Sequence, residues 1–204
     1  IKMSIGDNSY QKFTAFHNTG VNELGWSSSF LLGFWQGDGW RNGMQGEGTT
    51  YAFSVGYTPR GGDHEFNFSL IGAGQWHHQA YYGTQLQDYL DYGPIQGDDY
   101  RKFNALYGDY QGEEFSILRN YYNKPLATFN WDWEISSRVT LATSLYGSAG
   151  RGGGTGLRGR GSYGVSPFRE SYAEYLDDHG EWRNPDTTIN WNVAVQKNAA
   201  GAYV

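Results

Sequence analysis

Asp132 and Glu134 lie two residues apart, interleaved with Trp131, Trp133 and Ile135. In an extended chain both carboxylates project from one face, about 7 Å apart at about 3.4 Å per residue. That separation falls in the roughly 6.5–9.5 Å range of an inverting glycosidase pair, and flanking tryptophans suit a sugar cleft. Carbohydrate enzymes, however, set their two acids on different strands across the cleft, whereas these stand side by side. The pair therefore reads as polar lining, and no catalytic residue is assigned. His77 and His78 are neighbours, with His17, His64 and His179 far away in sequence. Adjacent residues of a strand point to opposite faces, so the two rings cannot share one metal ion in extended geometry.

Gly154-Thr-Gly-Leu-Arg-Gly159 matches the spacing of a dinucleotide fingerprint. That fingerprint must open a helix, and Arg160-Gly-Ser-Tyr-Gly-Val-Ser-Pro167 breaks one throughout. A glycine-rich loop bearing arginine supplies flexible backbone and cationic contacts instead. Asp88, Asp91, Asp98, Asp99, Asp109, Glu113 and Glu114 offer oxygen ligands, but the spacing of a calcium loop is missing, and they read as solvated loop charges. No nucleophile elbow or serine–histidine–aspartate signature occurs. The chain is expected to be no enzyme and to carry no cofactor and no metal site.

The elements behind these residues alternate. In 125–135, Ala127, Phe129, Trp131, Trp133 and Ile135 share one parity, and Thr128, Asn130, Asp132 and Glu134 the other. The same pattern returns with Tyr51, Phe53, Val55 and Tyr57 opposite Thr50, Ala52, Ser54 and Gly56, and with Ile189, Trp191, Val193 and Val195 opposite Asn190, Asn192, Ala194 and Gln196. Period two marks strands with one apolar and one polar face. The spacing predicts strands at 1–6, 10–18, 26–36, 48–58, 64–72, 125–135, 139–147 and 187–197. The inner face of a soluble sandwich is usually aliphatic and close-packed. Aromatic residues on one face and polar ones on the other are the signature of a transmembrane barrel.

Composition agrees. Thirty glycines, 8 tryptophans, 17 tyrosines and 11 phenylalanines accompany only 38% hydrophobic residues, below the roughly 45–50% of a packed globular core. The absence of cysteine excludes disulfides and thiolate metal sites. The formal charge of −6, with no basic stripe, argues against a nucleic-acid partner. The longest apolar run, Phe30 to Trp35, is about six residues, against the roughly 20 that a spanning helix needs, so a barrel is the membrane architecture left. The sequence opens on Ile1 without a leader, the expectation for a processed or partial chain. Short connections (Thr19–Gly25, Pro59–Asp63, Ser136–Arg138) alternate with long ones (37–47, 73–124, 148–186), as periplasmic turns alternate with extracellular loops. The expected fold is thus all-β: an antiparallel transmembrane β-barrel segment, with 1–204 forming part of one domain. Tyr81, Tyr82, Tyr89, Tyr92, Tyr100, Tyr107, Tyr110, Tyr121 and Tyr122 either line a binding surface or pack the long loops, since amphipathic rings do both.

The run Phe68-Ser-Leu-Ile-Gly-Ala-Gly-Gln-Trp-His-His-Gln79, followed by Tyr110-Gln-Gly-Glu-Glu-Phe115, Arg119-Asn-Tyr-Tyr-Asn-Lys-Pro125, Asn130-Trp-Asp-Trp133 and Gly150-Arg-Gly-Gly-Gly-Thr155, resembles TonB-dependent outer-membrane receptors. It looks most like the branch that imports large nutrients with a surface lipoprotein. The resemblance covers roughly 9–155 and implies the first third of the barrel, with no counterpart of the plug. It implies residence in the outer membrane of a Gram-negative bacterium, energy-coupled import, and as partners the lipid bilayer, a surface lipoprotein and the TonB complex. Ligand contact is expected at the extracellular rim, through Trp40, Trp76, His77, His78, Tyr81, Tyr82 and Arg151. Two rival readings are a secreted β-sandwich that binds or hydrolyses carbohydrate, and a small eight-strand barrel with a structural or adhesive role.

Overall fold

The computed structural model describes residues 1–80, 84–156 and 183–200. In chain order the elements are β1 (Lys2–Ile5), β2 (Gln11–Asn18), β3 (Trp26–Gly37), β4 (Gly46–Tyr57), β5 (His64–His78), α1 (Leu86–Gln96) and a 3-10 turn at Tyr100–Lys102. There follow β6 (Gly108–Tyr110), β7 (Glu113–Phe115), β8 (Arg119–Asn123), β9 (Leu126–Ser136), β10 (Val139–Ser148), β11 (Arg151–Gly154), β12 (Ile189–Asn190) and α2 (Trp191–Ala199). The fold is mostly antiparallel β-sheet, and the chain forms two compact units.

The first unit, Ile1–Gln36, Glu47–Trp76 and Tyr121–Gly153, is a meander in the order β1-β2-β3-β4-β5, continued by β9 and β10 along one half of the edge and by β8 and β11 along the other. β8 and β9 are one long strand interrupted at Lys124–Pro125. Proline has no N–H to give the ladder, and the hydroxyl of Ser148 donates to the Pro125 carbonyl at 2.8 Å where the ladder lapses. β5 and β9 pair in register, His64 opposite Trp133, Phe66 opposite Trp131, Phe68 opposite Phe129 and Asn67 opposite Asn130. β5 runs to His78, past the expected end at 72. Gly72 does not stop it, because the Tyr51 ring lies where a Cβ would stand and fills the gap.

The second unit gathers Gly37–Gly46, His77–Asn120 and the described residues after Gly153. It holds every apolar side chain that is buried among the described residues: Phe103, Ala105, Leu106, Ile189, Trp191 and Ala194. Tyr110, Phe115, Ile117 and Leu118 pack on Leu106 and Trp191, while Tyr89 and Tyr92 pack on Phe103. Asn104, 1% exposed, ties three segments together. Its side chain donates to the Asn42 carbonyl at 2.7 Å and accepts from Leu106 N–H, and its own N–H donates to Gln96.

One expectation is corrected. The strand at 187–197 is only a two-residue pairing of Ile189–Asn190 with Gly108–Asp109, after which the chain turns helical. The Asn190 carboxamide oxygen accepts the Val193 N–H at 3.2 Å, an N-cap contact that starts a helix. Trp191 and Ala194, at helical spacing, then enter the core. The long connection 73–124 contains the end of β5, then α1, β6, β7 and β8.

Leu106, with no exposed surface, gives a direct test of the second unit's core. Leu106→Ala is expected to cost about 2–5 kcal/mol. Amide exchange should speed up over β6 and α2 while the β9–β10 ladder keeps its protection.

Candidate functional site

The sheet sorts its side chains into two unlike surfaces. On one, Trp26 stacks on Tyr57 with ring centroids 4.4 Å apart, Tyr57 on Phe66 at 6.4 Å, Phe66 on Trp131 at 6.2 Å, and Trp131 on Trp133 at 6.1 Å. The Trp131 indole N–H donates to Nδ1 of His64 at 3.2 Å. Each of these rings sits beside a short connection, at the start of β3 or β5 or toward the end of β4 or β9, so the meander lines them up along one edge. Farther along the same face come Phe53, Phe68, Phe129 and Leu145, each roughly 40–60% exposed. No apolar side chain of this unit is buried among the described residues.

The other face is polar and cross-linked. Asn67 donates to the Ser54 hydroxyl at 3.1 Å, Ser69 donates to Asn67 at 2.9 Å, and Ser144 donates to Asn130 at 2.7 Å. Since Asn67 and Asn130 are opposite in register, one polar row crosses β4, β5, β9 and β10. A hollow of about 290 Å³ on this face is lined by neutral side chains, among them Asn18, Ser29, Leu31, Ser54, Ser69 and Ile71. Asp132 and Glu134 share this face and are exposed. Their neighbours in register are Glu65 on β5, directly opposite Asp132, and Ala142 and Thr140 on β10.

The expected rim residues fall in different places. Trp76 is on β5 within the sheet unit, and its indole N–H donates to Glu47 at 2.9 Å. Arg151 opens β11 and is exposed. Trp40 lies in the β3–β4 connection, half-exposed, and belongs to the second unit with His77 and His78. His78 is 5% exposed, its N–H donates to the Gln45 carbonyl, and its ring Nδ1 lies 3.9 Å from Glu114. The two histidines thus take opposite sides of β5. Tyr81 and Tyr82 lie outside the described residues, as does the glycine run beyond Gly156. Tyr89, Tyr92 and Tyr110 are packed into the second unit. Among the described residues, no three histidine, aspartate or glutamate side chains are grouped to hold a metal ion.

Sequence reading overlooked the aromatic belt as a connected feature. Its signal was present: Trp26, Tyr57, Phe66, Trp131 and Trp133 all fall within a few residues of short turns. Compared with known proteins, the chain matches no family model, no curated protein and no solved structure.

The Tyr107 phenol of the second unit has a perturbed titration. Burial raises the pKa of Tyr107 above its ordinary 10.0, and the carboxylates of Glu114, Asp186 and Asp109 raise it further. A raised folded pKa means stability that is complete below the ordinary tyrosine range and lost as pH climbs through and beyond it. Alkaline titration should therefore unfold the second unit more readily in the native chain than in Tyr107→Phe, followed by circular dichroism. An identical alkaline midpoint in the two proteins would remove Tyr107 from the account.

Proposed function

We propose that this chain is part of the barrel wall of a TonB-dependent outer-membrane receptor that imports a large nutrient. The observation that carries the reading is the sheet's apolar face. It is rich in phenylalanine and leucine, edged by a stacked aromatic belt, and uncovered, while the buried apolar core lies in the second unit. Monomeric soluble proteins rarely leave so contiguous an apolar surface open. Outer-membrane strands instead carry an apolar band about 25 Å tall between aromatic girdles. β5 has that dimension. From Phe66 in the belt to Trp76 are ten residue steps (76 − 66), about 33 Å along a strand and roughly 23–27 Å of membrane depth at a tilt of about 35–45°.

In this reading the polar row faces the lumen, and the short connections form the periplasmic rim. The long connections are the extracellular set. Ligand would be captured at that rim by exposed side chains such as Trp40 and Arg151 and handed to a plug moved by the TonB complex, with a surface lipoprotein as partner. No covalent chemistry is involved. Asp132 and Glu134 wet the lumen, and Asp132→Asn and Glu134→Gln should leave uptake within a few fold.

The parent protein should fractionate with outer membranes and resist carbonate extraction. Side-chain parity sharpens the test. Phe129→Arg, on the lipid side, is expected to cost about 2–4 kcal/mol near the midplane and less toward the rim, whereas Asn130→Arg, on the lumen side, should cost far less. Recovery of the parent as a soluble secreted protein, or equal costs for the two arginines, would defeat the proposal.

A further inference from the structure

One row of the polar face carries large aromatic rings. Lys12 on β2 stands opposite Trp35 on β3 in register. The Trp35 indole lies on Gly48 of β4, with Nε1 and Cε2 beside the place a Cβ would take, and Gln75 of β5 borders the same spot. Gly74 meets the Asn123 side chain, which sets Gln75 beside Tyr122 on β8, and Gly152 of β11 lies against the Tyr122 Cβ. Residues directly opposite in a ladder share a face. Lys12, Trp35, Gly48, Gln75, Tyr122 and Gly152 therefore form one transverse row, on the same side as Asn67 and Ser69. Gly48 is buried, and its missing side chain lets the indole rest on the backbone with its outer surface partly exposed. Two rings thus stand on the wet side of a sheet that sends Trp131 and Trp133 to the other.

Ammonium groups bound the row. Lys12 is exposed at one end, and at the other the exposed Lys124 holds its Nζ 5.7 Å from the Tyr122 ring centroid. Lys2, opposite Thr14, adds a third cation to this end of the face. Among the described residues no carboxylate pairs with Lys2, Lys12 or Lys124. Of the neighbouring charges, Glu47 lies on the opposite side of the sheet with Trp76, Arg151 alternates away from Gly152 to that side too, and Asp7 sits in the β1–β2 turn. The carboxylates of the polar face keep to its other end. Glu65 is ten residues from Gln75 along β5, about 33 Å, with Asp132 and Glu134 at its level.

From Lys12 on β2 to Tyr122 on β8 the row crosses four strand spacings, about 19 Å at about 4.8 Å each. One small anion cannot reach both ends. A ligand that does so is extended, repeats its negative charge, and offers flat apolar surfaces to the two rings. Pyranose rings that bear carboxylate or sulfate combine these properties: the C–H bonds on one side of the sugar rest on an aromatic plane while its anion meets an ammonium group.

We propose that this row is a binding site for an acidic oligosaccharide, whose rings stack on Trp35 and Tyr122 and whose anionic groups pair with Lys12 and Lys124. The site belongs to the polar face of the sheet and stands whatever covers the apolar one. It is tested with the full chain in nonionic detergent and two fluorescently labelled probes, a galacturonate oligosaccharide and a sulfated galactan oligosaccharide, beside the methyl ester of the first and the desulfated form of the second. At least one acidic probe should bind at least tenfold tighter than its neutral counterpart and weaken as salt screens the charges; which of them does so identifies the anion. Lys12→Glu and Lys124→Glu, both at exposed positions, should each weaken it at least tenfold with the unfolding temperature unchanged. Trp35→Leu should lower affinity for the neutral and acidic forms alike, whereas the lysine variants act on the acidic form. No binding of either acidic probe, equal binding of acidic and neutral forms, or binding untouched by the two lysine variants would overturn the proposal. So would a glutamate oligopeptide that binds as tightly as the sugars, which would give the row to an acidic peptide.

Discussion

The register between β5 and β9 is the constraint on which the sheet depends. With Phe66 opposite Trp131 and Asn67 opposite Asn130, the phenylalanine and tryptophan rings of β5 and β9 fall on one side and the amides and hydroxyls of the polar row on the other. A slip of one residue would turn Trp131 and Trp133 toward Asn67 and Ser54. The aromatic face resists that slip. Phe66 would lose Trp131 and Phe129, and His64 would lose Trp131 and Trp133, at about 0.5–1.5 kcal/mol per aromatic pair beyond area burial. The Trp131 indole N–H would lose its acceptor on His64. The register is held by ring contacts and this hydrogen bond, without an interior in this unit.

The two units solve stability differently. The second has a small packed core around Leu106, Phe103 and Trp191, with Asn104 and its partners at the centre. Removing a buried group of that kind leaves its partners unsatisfied at about 1–3 kcal/mol each, so the node specifies one arrangement of three chain segments. The sheet has no such interior, and its apolar face must be completed by its surroundings. That contrast favours lipid over a second protein layer in the proposed function: a missing layer would be expected to meet aliphatic side chains, whereas this face ends in a row of rings suited to a water–hydrocarbon boundary.

Seven of the eight expected strands were legible because period two was sustained over many residues, as at 26–36, 48–58 and 125–135, and because Pro125 and the short turns punctuate the chain. The eighth failed for a physical reason. Asn190 as a cap outweighs the alternation across Ile189, Trp191, Val193 and Val195 once Trp191 and Ala194 find Leu106. The second unit's main cluster could not be read, since Leu106 packs with Ile189 some eighty residues away, a contact to which local periodicity is blind. Of the rim residues, the opposite facing of His77 and His78 followed from strand geometry. The burial of His78 did not, because it depends on β7 and on the Gln45 carbonyl.

The acidic residues near the short turns constrain the polar face as firmly as the rings constrain the other. Glu65 and Asp132 are opposite in register, Glu134 is two residues along the same face, and all three are exposed. Like charges directly opposite destabilise a ladder, and with no lysine or arginine opposite them in register they persist only where water screens them. A dry protein layer packed over this end of the face would have to desolvate three carboxylates, at several kcal/mol per ion. Nothing in the sheet's own side chains offsets that. This end of the polar face must therefore stay wet. In the proposed reading a single layer of strands between water and an apolar medium meets both demands, whereas a sheet buried on both sides would leave these carboxylates dry.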